Sequence, residues 1–346
     1  MEKREFFGIH VVKATAIIFV FYFHFFYRTG YHDVEIFGWN LYLQTFFRWL
    51  THICVPLFFL ATGFLRAETG FSKKYYCGVF RIIFVYLAIS VITALLRWLY
   101  VDQLVNDFFS LEKKDHLLDL CLGIFRFDTI GYGWYVPAFC ALYLGIPVLN
   151  LIWKKLARPL FRALFVGWVA LFMWLDLFDL SMHLYPVLFF LLGKIVREYR
   201  PKGGWIAWLW AAAFLALELL AAVFVTNFYP SHISYFDNYG SVLAVCFATS
   251  VFIGLYDIRA PKSRLLVRSA KLISCATFEI YLFAYLFDYT LYPLFGGWIR
   301  TVTQEAAFIF FPLVPPLSFL CALGAALLFR ALFRLSRRPS RRLNYA

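Results

Sequence analysis

Ten apolar stretches, each long enough or nearly long enough to cross a bilayer, follow one another in this chain and leave room for little else. They cover residues 6–27, 41–65, 78–100, 132–152, 160–178, 183–197, 204–226, 240–257, 272–294 and 306–330. A hydrocarbon core calls for about 20 apolar residues in helical form, because lipid offers the backbone no hydrogen-bond partners. The pattern therefore predicts an all-α, polytopic membrane protein with about ten transmembrane helices, of which 183–197 is the shortest. Loop charge tests that count independently. Basic residues gather at Lys3 and Arg4, at Arg66, Lys73 and Lys74, and at Lys154, Lys155, Arg158 and Arg162. They recur at Lys194 to Lys202, at Arg259 to Lys271, and from Arg334 to Arg342. The alternate connections are poor in Lys and Arg and are assigned the acids Asp33, Glu35, Asp102, Asp107, Asp128, Asp176, Asp179, Asp237 and Asp288. Alternation sustained through ten segments places both termini in the cytoplasm, as expected of a multi-pass protein of the bacterial inner membrane.

Composition excludes the soluble alternatives. Of 346 residues, 63% are hydrophobic and 15% charged, with a mean hydropathy of +0.73, too apolar for a soluble domain of this length. The net charge of +13 would suit nucleic acid only on a folded soluble face. Here it sits in short loops, so membrane lipids, and no nucleic acid, are the expected partners. Seven scattered cysteines without metal-ligand spacing read as free thiols, and no metal site is expected. The first stretch has no small-residue cleavage site and reads as a retained helix. Residues 1–334 form one expected transmembrane domain and 335–346 a basic tail, for anionic inner-leaflet lipid or for solvent. The longest outer connection, 101–131, contains LLDLCLGIFRF, which suits an interfacial amphipathic helix.

Polar groups inside apolar stretches cost a few kcal/mol and usually face a cavity or a partner. In KATAIIFVFYFHF, Lys13 and His24 lie eleven residues apart, so they share one helix face about 16 Å apart along the axis. His24 can serve as a general base or as an interhelical hydrogen-bonding group; Lys13 can bind an anion or snorkel to the interface. Pro56, Gly63 and His52 mark a bent second span, with Gly63 read as a packing residue. Lys73, Lys74 and Arg81 form a basic cluster suited to phosphates or to the inner-face charge bias. Tyr132, Trp134 and Tyr135 can stack on a sugar or belong to an aromatic belt. Glu218 and Glu279 are buried acids expected to pair across the bundle or form a relay.

Taken in order, these features resemble acyltransferase family 3, the integral-membrane O-acyltransferases, in a stand-alone form without a fused extracytoplasmic domain. Lys13 and His24 match its basic-residue-to-histidine spacing and VPLFFLATGF its proline and glycine segment. KKYYCGVFRI matches the basic entry to its third span, GYGWYVPAFCALYLGIPVL its fourth span, FFLLGKIVRE its sixth and ISCATFEIYLFAY its ninth. Departures are Thr62 for serine, Gly78 for one arginine of a pair with Lys74 as its substitute, Ala284 for a common histidine and Glu279 for glycine. The resemblance implies transfer of an acyl group, most often acetyl, from cytoplasmic acetyl-CoA or another acyl-CoA to a hydroxyl of an extracytoplasmic or lipid-linked glycan. The acyl-CoA is a co-substrate, and no bound cofactor is implied. It implies His24 as catalytic base, Lys13, Arg81 and Lys74 on the CoA phosphates, and Tyr132, Trp134 and Glu279 on the glycan or glycolipid acceptor. The alternative from another class is a proton-coupled transporter or flippase of a lipid-linked sugar, using His24, Glu218 and Glu279.

Overall fold

The described residues of every apolar stretch lie mostly on helix in the structure, a computed structural model that describes residues 6–101, 117–156, 158–174, 181–228, 238–299 and 303–335. The helices are α1 (Phe7–Arg28), α2 (Gly38–His52), α3 (Cys54–Arg66), α4 (Lys73–Leu96), α5 (Leu117–Arg126), α6 (Tyr135–Lys155) and α7 (Pro159–Trp174). They continue with α8 (Ser181–Tyr199), α9 (Trp205–Phe228), α10 (Val242–Tyr256), α11 (Arg264–Ile299), the single turn α12 (Gln304–Ala307) and α13 (Val314–Leu335). No strand occurs among the described residues.

Seven helical segments are long and apolar enough to cross a membrane: α1, α2 with α3, α4, α6, α9, α11 and α13. The other three expected stretches are helical too, as α7, α8 and α10. At 16 and 15 residues, α7 and α10 reach only about 22–24 Å, short of a hydrocarbon core of about 30 Å. The stretch 41–65 divides at Ile53, because Pro56 has no N–H for the His52 carbonyl; that carbonyl accepts the Cys54 thiol instead, at 3.8 Å. The ninth stretch extends well beyond 272–294 into the 36 residues of α11. LLDLCLGIFR is the helix α5, with Leu120 and Ile124 buried and Leu118, Leu122 and Phe125 exposed. The basic tail beyond Leu335 lies outside the described residues, as do Asp102, Asp107, Asp176, Asp179 and Asp237.

Helix α1 runs through the middle, against α2, α3, α10, α11 and α13. Five neighbours account for the burial of its long apolar face, Val12, Ala16, Ile17, Val20 and Phe21. The most extensive pairing is α3 on α8, and small residues permit it. A Cβ on Gly63 would stand 2.0 Å from the Phe190 carbonyl oxygen, and one on Gly193 would stand 2.1 Å from that of Leu60. Gly63 is thus the packing residue the sequence indicates.

The basic connections converge at one end of the bundle. Lys194 donates to the Ala67 carbonyl at 2.6 Å and to Asn150 Oδ1 at 2.5 Å. Asn150 Nδ2 donates to the carbonyls of Arg66 and Thr69 at 2.9 and 2.8 Å, so a cation and an amide close the carbonyl end of α3. At the same end Arg162 pairs with Glu198 and Arg197 lies 4.7 Å over the Phe6 ring. The opposite end is tied by uncharged amides and hydroxyls: Gln304 donates to Thr29 at 3.0 Å and to Gln44 at 2.8 Å, and Asn227 to the Ile36 carbonyl at 3.0 Å.

Candidate active site

One face of α1 carries Lys13, Ile17, Val20, His24 and Arg28, and the structure gives its two polar ends separate chambers. The first, of about 380 Å³, lies toward the basic end. Lys13 of α1, Arg66 of α3, Arg81 of α4 and Arg330 of α13 line it, with Thr62 and the aromatic rings of Phe58, Tyr135 and Phe139. Its one carboxylate, Glu279 of α11, pairs with Arg330 at 3.3 Å. Four cations against one acid, converging from four helices, make a site for a polyanion; guanidinium groups suit phosphate oxygens best.

The second chamber, about 210 Å³, lies beyond His24. His24, His32, Arg48, His52, Tyr132, Trp134 and Tyr239 are among its lining residues. Tyr239 stacks on the His52 ring at 4.7 Å between centroids and on Trp134 at 6.1 Å, forming an aromatic wall of the kind that a sugar ring covers.

Against the second chamber sits a buried polar network centred on Asp288 of α11. His24 Nδ1 lies 2.9 Å from Asp288 Oδ2; a carboxylate only accepts, so Nδ1 carries the proton and Nε2 is left as the basic atom. Tyr132 donates to the same oxygen at 2.9 Å, and Ser318 of α13 to Oδ1 at 2.5 Å. Arg28 Nε donates to the Tyr132 hydroxyl at 3.0 Å, and the Tyr132 ring stacks on His24 with centroids 3.6 Å apart. Asp288 is 0% exposed and His24 9%. Burying a carboxylate costs several kcal/mol; three donors, each worth about 1.5–3 kcal/mol when one partner is charged, offset it. The result is a fixed imidazole: its tautomer is held by Asp288, its plane by Tyr132, and part of its surface is open to the second chamber.

This arrangement corrects one sequence assignment. Asp288 is not in an outer connection; it is in the interior of α11, one helical face with Tyr281, Tyr285 and Tyr292. An acid three, four and seven residues from three tyrosines, near the end of the apolar run TFEIYLFAYLFDY, was the available signal. The expected residues divide as follows. Lys13, Arg81 and Glu279 come together in the first chamber, and His24, Tyr132 and Trp134 in the second. Lys74 is exposed at the start of α4 and lines neither. Arg66 and Arg330, not singled out in the sequence as anion ligands, supply the further charge. Glu279, expected on the acceptor together with Tyr132 and Trp134, lines the first chamber and not theirs. Glu218 is 3% exposed, and neither of its carboxylate oxygens has a hydrogen-bond partner among the described residues. All seven cysteines are free thiols.

The model of the acyltransferase family, described as an acyltransferase domain, matches residues 6–335, nearly the whole chain. The chain belongs to acyltransferase family 3. It is accordingly a multi-pass membrane acyltransferase, and the network and both chambers lie within the matched acyltransferase residues. No curated protein and no solved structure matches it.

Proposed function

We propose that this acyltransferase moves an acyl group, acetyl in the first instance, from cytoplasmic acyl-CoA to a hydroxyl of an extracytoplasmic or lipid-linked glycan, with His24 as general base. The observation that carries the reading is the position of His24: held by the buried Asp288, it lines a chamber beyond the one lined by Lys13, Arg66, Arg81 and Arg330. The basic end of the bundle is then the cytoplasmic side, in keeping with the charge bias of bacterial inner-membrane proteins. The CoA phosphates lie on the four cations, and the pantetheine arm extends toward His24. Phe58, Tyr135 and Phe139 suit that arm better than they suit phosphate. The glycan enters from the other end, against Trp134 and Tyr239.

In the reaction, His24 Nε2 takes the proton of the acceptor hydroxyl as its oxygen bonds to the thioester carbonyl carbon. The tetrahedral oxyanion collapses, the C–S bond breaks, and the leaving thiolate takes the proton back from the imidazolium. Asp288 stabilises that imidazolium and keeps Nδ1 protonated, the usual task of a buried carboxylate behind a catalytic histidine. The Tyr132 hydroxyl is engaged by Asp288 and Arg28, so oxyanion stabilisation falls to another donor.

The test uses inverted membrane vesicles given radiolabelled acetyl-CoA and a lipid-linked glycan pool. Label passes to glycan with the wild type and falls to background with His24→Ala. Equal labelling by the variant removes His24 from the chemistry.

A further inference from the structure

The two chambers are lined by different residues with one exception. Tyr281 of α11 borders both. Its side chain is buried, 4% exposed, and its ring stands 5.0 Å from that of Tyr135 in the first chamber. Its hydroxyl donates to the Tyr132 carbonyl at 2.5 Å, and Tyr132 is the residue stacked on His24. One aromatic ring therefore stands where the chambers come nearest, tied by one hydrogen bond to the backbone that carries the tyrosine beside the base.

We propose that Tyr281 is the partition between the donor and acceptor chambers and a positioning residue for His24. This rests on the acyl-transfer reading of the two chambers. The ring in its present rotamer separates the thioester's path from the acceptor side; turning about its two side-chain torsions opens the way. The opening breaks that hydrogen bond and takes the ring off its packing against Tyr135, a cost that acyl-CoA binding can supply. The closed ring has a chemical use. Water on the acceptor side competes with the sugar hydroxyl, and its attack on the thioester breaks the same C–S bond, giving a carboxylic acid and free CoA thiol. A barrier that yields only to the acyl arm suppresses that loss. In the closed position the hydroxyl fixes the Tyr132 carbonyl and, through it, the ring against His24, so partition and base are coupled by one residue.

Two readouts test this, the first independent of catalysis. Cys275 lines the donor chamber only, and a variant retaining it as the sole cysteine is placed in oriented proteoliposomes. A small membrane-impermeant methanethiosulfonate is then added on the acceptor side. Tyr281→Ala raises the labelling rate at least about tenfold, whereas Tyr281→Phe, which keeps the ring and loses only the bond that holds it, raises it by less than about threefold. Phe139→Ala, which removes a ring on the donor side alone, stays at the wild-type rate; a rise equal to that of Tyr281→Ala would mean general loosening and overturn the proposal, as would no rise with Tyr281→Ala. The second readout compares acyl-CoA hydrolysis with transfer in the same proteoliposomes. Tyr281→Ala raises the ratio of hydrolysis to transfer about fivefold or more, and Tyr281→Phe moves the ratio by less than about twofold while lowering kcat about three- to tenfold at unchanged donor KM. A Tyr281→Phe variant with wild-type kcat overturns the positioning role. Gated labelling in a protein whose wild type neither transfers nor hydrolyses acyl groups upholds the partition and rejects the acyl-transfer reading instead.

Discussion

Asp288 and His24 make contrasting demands at the level of single residues. The imidazole is useful only if Nε2 is basic and aimed, and the carboxylate is tolerable in the interior only because Tyr132, Ser318 and His24 all donate to it. Replacing Asp288 by Asn keeps the shape but offers an amide that can turn its N–H₂ toward the ring and invert the tautomer. Asp288→Asn is expected to lower kcat on the order of 10²–10⁴-fold with donor KM within about twofold, measured by transfer of labelled acetyl groups at saturating donor. Tyr132→Phe removes one of three donors and the acceptor of Arg28; the same assay should show a smaller loss in kcat, about three- to tenfold. In the proposed reaction the cations of the first chamber act by binding the donor. Arg330→Ala removes one cation from the first chamber and leaves Glu279 there without its partner, so the apparent donor KM rises about tenfold or more while acceptor KM stays within about twofold. Movement in acceptor KM alone would place CoA elsewhere.

Elements hold the site through their ends and crossings more than through their sequences' helical propensity. The crossing of α3 and α8 brings backbone to backbone at Gly63 and Gly193, and the carbonyl end of α3 is closed by Lys194 and Asn150. Because α3 carries Thr62 and Arg66 into the first chamber, this joint also places charge. Lys194→Met keeps the length of the stem and removes the donor, leaving carbonyls without a partner. It is expected to destabilise the protein by about 1–3 kcal/mol, read as a lowered Tm in detergent, while transfer below that temperature persists. The Pro56 break between α2 and α3 has a related effect: it lets Arg48 and His52, at the end of α2, line the second chamber while α3 turns toward the first.

For the whole molecule, the organising feature is a central helix with a chamber toward each end. That design separates an enzyme from a proton-coupled carrier in a measurable way. A carrier reading gives Glu218 a proton to bear, whereas acyl transfer gives it no part, since it borders neither chamber. Glu218→Gln is expected to leave acyl transfer within about twofold of wild type and to raise Tm slightly, because a buried carboxylate without hydrogen bonds costs stability. Proton-dependent sugar movement abolished by that substitution, with acyl transfer absent from wild type, would favour the carrier.

Length and order of the apolar runs sufficed to give the helical membrane class, the break near Pro56, the packing role of Gly63 and the shared face of Lys13 and His24, because all of these follow from helix period and backbone chemistry within a short window. Only the tertiary structure decided what that face meets. His24 and Asp288 are 264 positions apart, and the first chamber draws its cations from four helices. Apolar helices in lipid pack by shape, so no local pattern states which acid lies beside which base. Lys74 and Arg330 show the difference plainly: the first sits in the recognisable basic cluster and faces outward, and the second sits in an unremarkable run of the last helix and turns in.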